Sequence, residues 1–220
     1  MSSIMSSLCL VILLLLTGCA GTTGFQDYTD YKNHLPKSII VITPENHSLD
    51  INAAPSLLTQ INYPLAEAGY YVFPIAVVEE TFRQNGVTNA HDIRTINPKK
   101  IQEIFGADAL LDLQIKDYGT QFQLIDSVTR VTAAAKLIDL KTGAVLWSGN
   151  ATANSNEQDN SVDLNPIGVL VKAVVKQVMA TSTNKSHQIA GITACRLLAV
   201  GGKNGLLYGP RSPLFKQDQQ

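Results

Sequence analysis

Cysteine, surplus positive charge and long apolar runs are all scarce in this sequence, and each shortage excludes something. Lys and Arg number 17 against 18 Asp and Glu, for a formal net charge of −1. That balance supplies no clustered basic surface for nucleic acid. Three cysteines in 220 residues are too few for a disulfide framework. The four histidines, at 34, 47, 91 and 187, share no i, i+4 spacing of the kind that holds a metal. Glu79 and Glu80 are adjacent, so on a helix they point in different directions and do not form a carboxylate pair. GGKNG, 201 to 205, lacks the Ser or Thr that follows the lysine of a phosphate loop. No G-x-S-x-G stands near a triad partner. The expectation is a protein that is not an enzyme, with no metal, no cofactor and no small-molecule substrate.

The apolar run is informative because it is short. Leu8 to Leu16 reads LCLVILLLL, far below the ~20 residues that span a bilayer, and suits the apolar core of a secretory signal. It ends at Leu16-Thr17-Gly18-Cys19, which resembles the bacterial lipobox. There the thiol of Cys19 takes a diacylglyceryl group, the peptidase cuts between Gly18 and Cys19, and the freed amine is acylated in turn. Acyl chains hold a protein at the membrane at about 0.8 kcal/mol per buried CH2. The bland alternative is an ordinary signal in which Cys19 is incidental. The opening MSSIMSS lacks the Lys or Arg of a usual signal. Ala20 and Gly21 follow the cysteine where inner-membrane retention would use Asp, so the sorting rule directs the anchor to the outer membrane. Residues 1 to 18 read as signal peptide, and 19 to 37 as lipidated terminus and tether, reaching roughly 60 Å if extended. Cys195 is then the one thiol left, either buried or open to intermolecular pairing.

Beyond the tether, Ser38 to Thr43 (SIIVIT) reads as a buried first strand. Leu57, Leu58, Ile61, Leu65 and Ala68 recur at helical spacing, interrupted or kinked by Pro64 and stopped by Gly69. Tyr70 to Ile75 is expected as a second strand, and Val77 to Gln84 as a short helix. Asn97-Pro98 is a helix start, with Gly106 as its stop. Period-two alternation follows in Leu111 to Ile115, Arg130 to Leu137 and Ala144 to Ala151, with 121 to 125 joining them. That is an antiparallel meander solvated on one face. Asn165-Pro166 opens a last helix whose stripe is Ile167, Leu170, Val171, Val174 and Val178.

The order implies one α/β domain over 38 to 200, a two-layer sandwich of a mixed sheet with helices packed on one side. His91-Asp92 is expected in a loop. Tyr70, Tyr71, Phe73 and Trp147 are expected in the core. Residues 201 to 220, with two prolines and no period, are expected to be an extended tail lying on the domain or on a second copy. Leu206, Leu207 and Tyr208 are its candidate interface residues, since apolar side chains in such a segment need a place to be buried.

"PLAEAGYYVFPIAVVEETFRQNG" (64 to 86), "GADALLDLQIKDYGTQF" (106 to 122), "LIDLKTGAVLWSG" (137 to 149) and "GLLYGPRSP" (205 to 213) resemble a family of proteobacterial lipoproteins of unknown function that includes a neisserial surface-antigen candidate. The resemblance implies a fold similar to the N-terminal domain of TolB and, more loosely, to the lipoprotein CsgG. It also implies a homodimer, and partnership with a CsgG-like lipoprotein and a small third lipoprotein. It assigns no catalytic residue. Together these make the expected function that of an outer-membrane lipoprotein, a non-enzymatic subunit of a cell-envelope complex. The alternative is an activator of a periplasmic peptidoglycan synthase.

Overall fold

In the computed structural model, the structure describes residues 26–122, 127–156, 184–202 and 204–216. The expected helix over 166 to 178, most of the 121 to 125 segment, and Gly18 and Cys19 lie outside these residues. The elements run α1 (Thr29–His34), β1 (Ser38–Val41), β2 (Glu45–Asn46), α2 (Ala53–Glu67), β3 (Tyr71–Val72), α3 (Ile75–Gln84), α4 (Ala90–Thr95), α5 (Pro98–Phe105), β4 (Ala109–Phe122), β5 (Ser127–Asp139), β6 (Val145–Asn154) and α6 (Lys185–Leu197).

The sheet is mixed, in the order β3-β1-β4-β5-β6, with β2 adding to the far part of β4. β1 is parallel to β3 and β4, while β4, β5 and β6 form the antiparallel meander. Period two decides which side chains go where. Leu111, Leu113, Ile115, Val131, Ala133, Leu137 and Trp147 are buried under α2 and α6. Asp112, Gln114, Lys136, Ser148 and Asn150 line an open groove on the opposite face. The main helical layer therefore packs on one side, as the alternation requires. A smaller cluster of Ile40, Ile42, Val78, Phe82, Ile93 and Ile101 lies on the second face, where α3, α4 and α5 cover the parallel edge of the sheet.

Local signals act where expected. Asn97 caps α5, its side chain accepting from Lys99 N, and Gly106 ends it at φ 68°. Pro64 falls in the last turn of α2, so the helix runs on to Glu67. Pro64 O still accepts from Ala68 N. Several expectations need correction. The strand expected over 70 to 75 is cut to Tyr71–Val72, because Pro74 opens α3 at Ile75. His91-Asp92 sits in α4 rather than a loop, with Asn89 accepting from Asp92 N as its cap. α6 had no counterpart in the sequence reading. Its buried side consists mainly of small and polar residues, Gln188, Ala190, Thr193 and Ala194 beside Ile189 and Leu197, which make a faint periodic signal.

The domain limits also change. Within the expected tether, residues 26 to 37 are folded: α1 places Tyr31 at 2% exposure, and Lys37 N donates to Asp108 Oδ2. At the other end, residues 204 to 216 belong to the domain, with Leu206 wholly buried in its core. The second face carries a half-buried ion pair. Arg94 donates to the carbonyls of Leu113 at 2.9 Å and Thr43 at 3.3 Å, and meets Asp112 at 2.6 Å. It ties α4 to the sheet across the junction of β1 and β4.

Candidate functional site

Three surfaces carry the polar and apolar groups that packing does not use up: the end where both chain termini enter, the opposite end, and the outer edge of β6.

The entry end, called the base here, lies under the first residues of β1 and β3. α1 and the C-terminal segment cross it together. Three aromatic side chains hold the segment by its carbonyls: Trp147 Nε1 donates to Asn204 O at 3.0 Å, Tyr28 OH to Gly205 O at 2.5 Å, and Tyr70 OH to Leu207 O at 2.6 Å. Tyr31 OH in turn hydrogen-bonds Tyr70 OH. Each ring fills apolar space while its polar tip satisfies a backbone acceptor that burial would otherwise leave unpaired. Further along, Gly209 N donates to Ala68 O at 2.7 Å and Arg211 N to Gly69 O at 3.1 Å. The interface candidates are therefore divided. Leu206 is 0% exposed within its own chain and has no surface to offer, which corrects that expectation. Leu207 and Tyr208 are half-buried against the same core. Of the four aromatics expected in the core, Tyr70 and Trp147 are buried, Phe73 is half-buried, and Tyr71 is 45% exposed.

At the opposite end, Leu49 and Ile51 are exposed on the loop between β2 and α2, beside an open cleft that also takes in Asp50, Lys116 and Tyr118. Under this cleft Ser56 Oγ lies 2.8 Å from His187 Nδ1, and Gln60 Nε2 lies 2.8 Å from His187 Nε2. Tyr118 OH donates to Ser56 Oγ at 2.7 Å. Burial pushes the Tyr118 hydroxyl above its ordinary range; the hydrogen bond to Ser56 opposes that rise and the nearby Asp50 charge adds to it. A serine beside a histidine invites a catalytic reading, but the third member is an amide and no carboxylate orients the ring. The first turn of α2 is also poor in free donors. Ala53 N and Ser56 N are bonded to Asp50 O and Asn52 O, and Pro55 has no N–H. The group is best understood as a polar strut joining α2 to α6. Ser56 and His187 stand 131 positions apart, so no spacing signal in the sequence announced it.

The third surface is β6, the terminal strand of the sheet. Ser155 N donates to Thr129 O, so from Trp147 onward the odd-numbered residues of this strand turn their backbone groups toward β5 and the even-numbered ones turn them outward. Arg196 Nη1 covers Thr152 O at 2.9 Å. Among the described residues, the outward backbone groups of Ser148 and Asn150 bond no other backbone group.

Among the described residues there is no group of three or more His, Cys, Asp and Glu that could hold a metal. Nor is any helix among them long and apolar enough to cross a membrane. Cys195, on α6, is half-buried and unpaired. Burial pushes its thiol up, so less thiolate is present at any given pH. Alkylation of native protein at pH 8 should be at least about tenfold slower than alkylation of the urea-unfolded chain. Equal rates would contradict the packing of α6.

A mixed sheet under two long helices defines a small α/β domain. The chain belongs to the family described as "Putative lipoprotein GNA1162-like", whose model matches residues 26–211. It is 46% identical over 185 residues to "Putative lipoprotein NMB1124/NMB1162" of Neisseria meningitidis serogroup B, covering 84% of this chain and 85% of that protein. The crystal structure of lipoprotein GNA1162 from Neisseria meningitidis is similar at 48% identity and a TM-score of 0.54, covering 66% of this chain and 100% of that one. A PelC dodecamer from Paraburkholderia phytofirmans shares 14% identity at a TM-score of 0.43, over 74% of this chain and 86% of its own, a likeness of outline only. The family and both neisserial proteins are named as lipoproteins, without an enzyme activity.

Proposed function

We propose that the protein is an outer-membrane lipoprotein, attached through acyl chains on Cys19 after cleavage behind Gly18, that acts without chemistry as a subunit of a cell-envelope complex. The observation that carries this reading is the outer edge of β6. Its outward amides offer a template on which an extended segment of a partner adds a strand. The partner expected from the resemblance is a CsgG-like lipoprotein, and a homodimer would use the same edge.

Activation of a distant peptidoglycan synthase is less well supported. With residues 26 to 37 folded into the base, only six residues, 20 to 25, lie between Cys19 and Gln26. Fully extended, the seven steps from one to the other reach about 24 Å, against the roughly 60 Å of the longer tether.

The test is co-purification in mild detergent, with bound proteins identified by mass spectrometry. Asn150→Pro removes an outward N–H and places a ring on the edge while the β5 ladder keeps its bonds. Lipidated Asn150→Pro protein, shown folded by circular dichroism, should lose a CsgG-like partner that the parent retains. Retention at parental level would sink the edge as the docking site. Deleting the tail is the wrong test, because it takes Leu206 out of the core.

A further inference from the structure

We propose that the base of the domain rests on anionic phospholipid headgroups, with Tyr71, Leu214 and the cations around them as its contact surface. This rests on the reading of Cys19 as the point of attachment. Two independent observations lead to it.

The first is reach. The chain enters the domain at the base, where Gln26 N donates to Asn204 Oδ1 at 3.0 Å. A leash of six residues, seven steps from Cys19 to Gln26, holds that point within about 24 Å of the lipid. β4 alone, at 14 residues, is roughly 45 Å long. The end bearing Leu49 and Ile51 is thus held away from the bilayer, and the base is held toward it.

The second is chemistry. Tyr71 is 45% exposed and Leu214 36% exposed; Tyr71 follows Gly69, against which the tail folds at Gly209, Arg211 and Ser212, just before Leu214. The Arg211 guanidinium lies 5.5 Å from the centroid of the Tyr71 ring. Lys37 and Lys216 are exposed at the same end. A tyrosine with a polar tip, an aliphatic side chain and flexible cations is the combination that settles at a headgroup boundary. There the apolar parts enter the acyl margin and the charges meet phosphate.

The experiment separates this proposal from the lipidation it assumes. Chain beginning at residue 19 and carrying Cys195→Ser is coupled through the Cys19 thiol to a maleimide lipid in nanodiscs of phosphatidylethanolamine and phosphatidylglycerol. Amide exchange is compared with that of the same chain in solution. Exchange over 70–73 and 210–216 should slow by at least about tenfold on the nanodisc while 47–51 stays unchanged. The protection should be lost in Arg211→Glu/Lys216→Glu, since two headgroup-facing cations are worth about that factor or more. Equal exchange in solution and on the nanodisc, or protection that survives the double charge reversal, overturns the proposal. Whether Cys19 carries acyl chains in the cell is decided separately, by the mass of the native protein's N-terminal peptide.

Discussion

Leu206→Ala is expected to lower the free energy of unfolding by about 3 kcal/mol, near the middle of the range for emptying a fully buried leucine site. Leu206 is 0% exposed, and its amide donates to Ala199 O at 2.9 Å. The bonds from Trp147 and Tyr28 hold the backbone on its N-terminal side, and the bond from Tyr70 holds it on the other. That clamp prevents the segment from collapsing into the space an alanine would leave, which puts the cost well above that of a surface change. Urea denaturation followed by tryptophan fluorescence gives the number directly, because Trp147 is the single tryptophan and contacts the same segment. A loss within about 0.5 kcal/mol, typical of a surface position, would mean that the tail is not part of the folded unit.

Gly209→Ala is the second large effect, expected at about 2 kcal/mol together with release of the tail to protease. A Cβ at this position would come within 2.6 Å of both C and O of Gly69. Those are backbone atoms at the end of α2, and no side chain can turn aside to make room. The bond from Gly209 N to Ala68 O, at 2.7 Å, fixes the approach from the other direction. Gly202→Ala is the matched control, since its Cβ would meet nothing nearer than 4.0 Å. It should change stability by no more than about 0.5 kcal/mol. Equal proteolysis of the two variants would show that the close crossing of the tail over Gly69 does not hold the segment in place.

Both predictions concern a segment whose role could not be read from its residues. GLLYGPRSP has no period, and its prolines and glycines describe an irregular chain without indicating where it lies. Its leucines needed burial, which was legible. That Leu206 finds it inside its own domain depends on Trp147 and Tyr70, which are far away in sequence. The same holds for α1, whose Tyr31 is buried by contacts with Tyr70 and not by any stripe of its own. It holds for the strut as well, where a serine and a histidine meet only because α2 and α6 lie side by side.

The sequence by itself determined what acts over a few residues. Alternation in 111 to 115 and 130 to 137 decided which face of the meander is buried, because a strand presents its side chains to two sides in turn; in 144 to 151 a bulge buries both Leu146 and Trp147 and breaks the alternation. Asn97, Pro98 and Gly106 decided where α5 begins and ends, because caps satisfy backbone groups within one turn. Only the tertiary structure decided that both ends of the domain fold into one base, that Tyr71 stays outside it, and that β6 is the last strand of the sheet among the described residues. Those outcomes depend on which distant surfaces fit together, and the local chain carries no record of that fit.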